Sequence, residues 1–273
     1  MRASGEVERL APPEDPASRE PARAAPAGPA VSLEGVWKAF TGAPVLRGLD
    51  FEVPRRNTVT VMGGSGSGKT VLLRLAAGLI KPDRGRIETL GVDITPLREE
   101  ALLPVRRRMG FVFQSAALFD SLTVYENVAY PLREHARLAE DEIRRRVVHF
   151  LSLVGLDDNV LRQLPAELSG GMRKRVGIAR ALIAEPEVML YDEPTAGLDP
   201  TNSKMVGELI VRMGEGVCDS SIVVTHDLEL TKTVADRVAV LVDGRFAAAG
   251  TVDEVLAARD DAVQAFLAGK AKR

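Results

Sequence analysis

Gly63-Gly64-Ser65-Gly66-Ser67-Gly68-Lys69-Thr70 decides the fold. The stretch matches the phosphate-binding pattern of four free positions between two glycines, closed by Lys and a hydroxyl residue. An apolar run, Thr58 to Met62, precedes it and reads as a buried strand. Val71 to Leu79 follows and reads as a helix. Strand, glycine loop and helix in that order are the setting the pattern requires. Glycines let backbone N–H groups wrap phosphate oxygens, and the helix N-terminus adds partial positive charge. Lys69 is expected at the β and γ phosphates of a nucleotide, and the Thr70 hydroxyl at Mg²⁺. The plain alternative is a flexible Gly/Ser turn, and the order of the flanking elements argues against it.

Two further stretches belong with the loop. Val188-Met189-Leu190-Tyr191-Asp192-Glu193 is an apolar strand that ends in two acids. Many buried strands end in a carboxylate for solvent contact alone. Beside a phosphate loop, Asp192 is expected to hold Mg²⁺ and Glu193 to orient and polarise an attacking water. Leu168-Ser169-Gly170-Gly171-Met172 opens a helix that runs to about Ile183. Ser169 is a good N-cap, and Gly170 and Gly171 leave their N–H groups free to approach a phosphate. On its own, this would be an ordinary turn before an amphipathic helix.

Strands and helices mingle outward from these motifs. Val31 to Lys38, Arg86 to Leu90, Met109 to Gln114, Ser221 to Thr225 and Val238 to Val242 also read as strands. Strand signals vanish from Ser115 to about Ile183. There Ile143, Val147, Phe150, Leu151 and Val154 share a helical face, with Gly155 as its C-cap. Thr251 and Glu254 form a capping box for a last helix. The alternation predicts an α/β fold, a parallel sheet with helices packed on it and ligands beyond the C-terminal strand ends. The expected divisions are a Pro/Ala-rich disordered tail over 1–30 and a first core part with a β subdomain over 31–114. A helical subdomain over 115–183, a second core part over 184–245 and a helical tail over 246–273 follow.

The motifs together resemble the ABC (ATP-binding cassette) ATPase family, from about residue 31 to the C-terminus. Leu168-Ser169-Gly170-Gly171 is similar to its signature sequence, Gln114 to its Q-loop glutamine and Ala196-Gly197-Leu198-Asp199 to its D-loop. His226 is similar to its switch histidine, and Phe40 stands where an aromatic stacks on adenine. Each of these positions has a plainer reading as core, surface or structural residue, and Trp37 is an alternative stacking residue. Val71 departs from the pattern, because many members carry a hydroxyl there for the α-phosphate.

The resemblance implies a P-loop NTPase (RecA-like) core with an inserted helical subdomain, ATP as substrate and Mg²⁺ as cofactor. Glu193, His226 and Lys69 become the catalytic set, and Thr70, Gln114 and Asp192 the metal set. Phe40, the loop Gly63 to Thr70, Gln114, Asp192 and Asp199 become nucleotide-binding. Ser169, Gly170 and Gly171 complete the site of a second copy, so the implied unit is a homodimer.

Phe113-Gln114-Ser115-Ala116-Ala117-Leu118-Phe119, Pro131-Leu132-Arg133-Glu134-His135 and Gly171-Met172-Arg173-Lys174-Arg175 resemble the ATPases of Mce-type and Mla-type phospholipid transporters. That resemblance implies integral membrane permease subunits, an Mce-type lipid-binding partner and a place on the cytoplasmic face of the inner membrane. An importer for a polar solute such as an amino acid is the alternative. Large apolar residues Leu118, Phe119, Leu122, Val124 and Tyr125 follow the Q-loop and suit either core or a groove for a partner helix. The arginines at 106–108 and 144–146 suit contact with lipid headgroups, and solvated faces are their plainer reading.

Composition excludes other classes. The 273 residues are 45% hydrophobic and 27% charged, as in ordinary globular proteins. The net charge of −2 argues against a broad nucleic-acid-binding surface. Cys218 is the single cysteine, so no intrachain disulfide forms. Apolar runs such as Val238 to Val242 fall far short of the ~20 residues that span a bilayer. Any membrane path is therefore expected to come from another chain.

Overall fold

The structure is a computed structural model and describes residues 28–268. Most of the tail expected over 1–30 lies outside the described residues.

Two sheets share the work. The first is antiparallel, with strands β1 (Val31–Phe40), β2 (Ala43–Val53), β4 (Arg84–Thr89) and β5 (Val92–Asp93) in the order β2-β1-β4-β5. The second holds β3 (Thr58–Met62), β6 (Met109–Val112), β7 (Val188–Asp192), β8 (Ser220–Thr225), β9 (Arg237–Val242) and β10 (Arg245–Gly250) in the order β10-β9-β3-β8-β7-β6. Its strands are parallel except β10, which returns antiparallel to β9. Strand β3 thus lies between β8 and β9, and every residue of β7 is buried. Burial on both faces is why β3, β7 and β8 read as near-continuous apolar runs.

Helix α1 (Lys69–Ala76) starts directly from the glycine loop, with Gly68 left-handed at φ 109 as its N-cap. Helix α2 (Glu99–Arg106) precedes β6. Between β6 and β7 the chain carries helices and two short 3₁₀ turns: α3 (Val124–His135), α4 (Glu140–Leu153) and α5 (Gly170–Leu182). Thr123 and Glu126 cap α3 reciprocally, Ser169 caps α5 through the Met172 N–H, and Gly155 takes φ +69 just past α4. The face of α4 formed by Ile143, Val147, Phe150 and Leu151 is buried in one core with Val128, Leu132, Ile178 and Leu182. Helices α6 (Pro200–Gly216), α7 (Leu228–Val234), α8 (Val252–Leu256) and α9 (Asp261–Leu267) complete the chain. Thr251 and Glu254 make the capping box of α8.

Several boundaries differ from the sequence reading. Residues 246–250, expected as the start of a helical tail, belong to β10 instead. The small side chains of 247–250 carry no strand signal, and the pairing with β9 decides their conformation. Strand β6 ends at Val112, so Gln114 lies in the following loop. Strand β2 escaped the reading because Gly48, at φ +69, is inserted opposite the Val36–Trp37 step and breaks the alternation.

Candidate functional site

The C-terminal ends of β3, β7 and β8 meet at one cleft of about 490 Å³. Its wall includes Gly64, Ser65, Gly66, Lys69, Thr70, Gln114, Glu193 and His226. Helix α1 supplies Lys69 and Thr70 from its first turn. The Lys69 ammonium donates to the carbonyls of Gly63 (2.7 Å) and Gly64 (3.0 Å) and lies 3.6 Å from Glu193 Oε1. Burial pushes this ammonium's pKa down, and the charges of Glu193 and Asp192 oppose that. Thr70 Oγ1 donates to Asp192 Oδ1 at 2.9 Å. Burial pushes the Asp192 carboxyl up, while the Thr70 hydrogen bond acts the other way.

Glu193 stands one residue beyond β7, with a left-handed backbone at φ 47. Its N–H donates to Val224 O at 2.9 Å. Its carboxylate accepts from Thr225 Oγ1 (3.3 Å) and lies 2.9 Å from His226 Nδ1. One carboxylate is therefore held between a buried lysine and an exposed histidine.

The loop fits a phosphate chain, and at its two ends it leaves no room for a side chain. A Cβ on Gly63 would meet Leu241 O at 2.5 Å, and one on Gly68 would meet Leu46 Cδ2 at 2.7 Å. The Ser67 hydroxyl is buried without a protein partner. It is a donor left for a ligand or water. Thr70 and Asp192 form a hard-oxygen pair at the cleft, the donor type that Mg²⁺ takes beside phosphates.

Other expected residues lie elsewhere. Phe40 (44% exposed) is at the tip of the β1–β2 hairpin and Trp37 (37% exposed) lies on β1 against Gly48, and neither lines the cleft. Ser169, Gly170 and Gly171 are also outside it. Gly170 faces Leu198 and Gly171 faces Asn202 of the same chain. The Asp199 carboxylate caps α6 by accepting from the N–H groups of Thr201 and Asn202. Val71 packs partly buried against the core.

The run after Gln114 divides. Phe119 is exposed and packs on exposed Tyr130, with ring centroids 5.0 Å apart. Leu118 and Tyr125 pack instead against the helical core. The arginine clusters are largely engaged. Arg106 pairs with Glu99, Arg108 with Glu187, and Arg145 and Arg146 with Glu142.

Sequence reasoning missed four contributors. Phe266 and Leu267 of α9, and Leu228 at the start of α7, line the cleft beside His226. Nothing local marks them. Lys174 is buried under the cleft and donates to the Gln114 and Glu193 carbonyls. In the sequence it stands between two arginines in Gly171-Met172-Arg173-Lys174-Arg175, although it shares a helical face with buried Gly171, Gly177 and Ile178.

A parallel sheet with a glycine-wrapped phosphate cradle at its strand ends defines a P-loop nucleotide-hydrolysing protein. The sequence matches the ABC transporter family over residues 46–196. A probable ribonucleotide transport ATP-binding protein of Mycobacterium leprae is 36% identical over 245 residues, 90% of this chain and 70% of that protein. An intermembrane phospholipid transport ATP-binding protein of Haemophilus influenzae is 40% identical, over 81% of this chain and 84% of that protein. A methionine import ATP-binding protein of Brucella abortus is also 40% identical, over 85% and 63%. A dimeric ATP-binding cassette solved in a post-hydrolysis state with ADP and Pi superposes with a TM-score of 0.76 at 31% identity, covering 81% of this chain and 98% of that one. The chain belongs to the ABC transporter family and is an ATPase of that family.

Proposed function

We propose that the chain hydrolyses ATP, as one of two copies, to drive phospholipid transport through a membrane permease at whose cytoplasmic face it sits. The observation that carries the catalytic part is the Glu193 carboxylate held between Lys69 and His226 at the phosphate cradle. Lys69 offsets phosphate charge. Glu193 accepts a proton from the attacking water, and His226 holds the water and steadies charge on the γ-phosphoryl group. Thr70 and Asp192, with Gln114 on the same wall, would hold Mg²⁺. Held there, Mg²⁺ would supply positive charge against the phosphates. Ser169, Gly170 and Gly171 lie outside their own cleft, which supports their use by a second copy. Phe40 at the hairpin tip is proposed to reach the adenine, and Asp199 to act where the two copies meet.

Among the described residues, no helix is long and apolar enough to cross a membrane. That supports a separate permease. The lipid part rests on the strings around Gln114 and His135 and on the Haemophilus relative. The Brucella relative favours a second reading, an importer for a polar solute. Purifying the complex from its native membrane and identifying the chains and lipids that accompany it separates the two. A lipid-binding Mce-type chain supports the first reading. A soluble amino-acid-binding protein in its place overturns the lipid reading and leaves the ATPase standing.

A further inference from the structure

Lys174 is an unusual residue to find where it is. It is 6% exposed, and its ammonium donates to two main-chain carbonyls, those of Gln114 and Glu193 (the latter at 3.2 Å). Two carbonyls accept from this buried ammonium, and among the described residues no carboxylate forms an ion pair with it, although the charges of Glu193 and Asp192 act on it from nearby. Such a charge is costly to bury and is retained only where its hydrogen bonds are made. The two carbonyls belong to different loops. One follows β6, and the other belongs to the left-handed residue that follows β7. Lys174 itself rides on α5, from the helical stretch between those strands.

The same face of α5 grips the first loop twice more. Arg180 donates to Ala116 O (2.9 Å) and Ala117 O (2.8 Å). Both alanines have left-handed backbones, at φ 62 and 47. Gly177 lies against Ala116 so closely that a Cβ would meet its Cβ at 3.1 Å. Lys174, Gly177 and Arg180 recur three residues apart and form one seam along the helix. Arg180 also places its guanidinium 5.8 Å from the Phe119 ring centroid. Phe119, the loop alanines and the Glu193 main chain thus all contact one face of α5.

We propose that Lys174 is a positioning residue for ATP hydrolysis: by binding the Gln114 and Glu193 carbonyls together, it keeps the Glu193 carboxylate between Lys69 and His226 only while α5 is seated on both loops. Its contacts are with the main chain of two residues that line the cleft, and it acts through Glu193, so the inference rests on the reading of Glu193 given above. A residue that only filled space would set stability. This one sets the rate at constant substrate affinity.

Full-length Lys174→Met keeps the length and apolar stem and removes the donor. Expected are a kcat for ATP hydrolysis lower by about 10- to 100-fold, as for misplaced catalytic groups, and a nucleotide affinity within about twofold of the parent. In a Glu193→Gln background the same change should cost nothing further in single-turnover hydrolysis, because the group it positions is already gone. Lys174→Gln, which retains a donor, should recover part of the rate, and it carries the same comparison if Lys174→Met melts too early to assay. An unchanged kcat, a loss of affinity that matches the loss of rate, or equal losses in the two backgrounds overturns the proposal. Rapid hydrolysis by Glu193→Gln alone marks failure of the underlying reading of Glu193, and is seen before Lys174 is touched.

Discussion

Glu193 adopts a backbone conformation that costs about 1–3 kcal/mol for a residue with a side chain, and the Val224, Lys174, Thr225 and His226 contacts hold it there. The carboxylate is thereby aimed, and its loss is a loss of chemistry. Glu193→Gln should bind ATP yet hydrolyse it at least about 10²-fold more slowly, measured as phosphate release. Lys69→Ala removes the charge beside the phosphates and should weaken nucleotide binding itself, read by titration with a fluorescent ATP analogue. Asp192 makes a prediction of opposite sign for stability. Burial raises its folded pKa above the unfolded value, so its contribution is fully present below the unfolded pKa and is lost as pH rises through the folded one. At neutral pH the ionised carboxylate is a net cost to the free chain. Asp192→Asn should therefore melt higher than the parent at pH 7 without nucleotide, by about 2–4 °C for each kcal/mol relieved. The gap should close below about pH 4. Mg²⁺ and ATP should then stabilise the parent more than the variant. A variant that melts lower at pH 7 would remove the burial argument.

At the scale of elements, the loop after Gln114 distinguishes two neighbours that the sequence treats alike. Phe119 is 43% exposed, whereas Leu118 packs on the helical core. Phe119→Asp should leave the melting temperature near that of the parent and, if Phe119 meets the proposed permease, remove the permease from a co-purification. Leu118→Asp should lower the melting temperature, because Leu118 is partly buried against the helical core and a carboxylate there loses that apolar contact and part of its hydration. The difference follows from side-chain direction, which periodicity could not resolve in an irregular loop. Signals that are local were legible. Ser169 and the pair Thr251 and Glu254 announced helix starts, and the apolar run before Gly63 announced β3. Strand β2 was not, because the bulge at Gly48 spaces Leu46 and Leu49 by three before Phe51 and Val53 resume a period of two. Lys174 was hidden for another reason. Its burial depends on two loops distant in sequence, and lysine is rarely buried. Phe266 and Leu267 reach the cleft only because β10 turns the chain back along β9.

For the whole molecule, the signature residues decide whether one copy suffices. Ser169 caps α5 and stands outside the cleft of its own chain. Ser169→Arg should therefore leave ATP binding to the P-loop of the same chain intact while abolishing hydrolysis. Mixing Ser169→Arg chains with Lys69→Ala chains creates dimers in which one composite site carries both lesions and the other neither. Such mixtures should regain part of the hydrolysis absent from either variant alone. No recovery, together with nucleotide crosslinks confined to a single chain in the ATP-bound state, would argue for a self-contained site.

The order of strands in the second sheet also bears on how the protein is made. Strand β3, which ends at the phosphate loop, pairs only with β8 and β9, and β8 begins about 160 residues later in the chain. At a synthesis rate of about 5–20 residues per second, that strand emerges from the ribosome about 8–30 s before its first partner exists. Through this interval its apolar residues have no sheet to join, and the nascent chain offers chaperones an unpaired edge on both sides. ATP can find a formed cradle only once β8 and β9 have also left the ribosome.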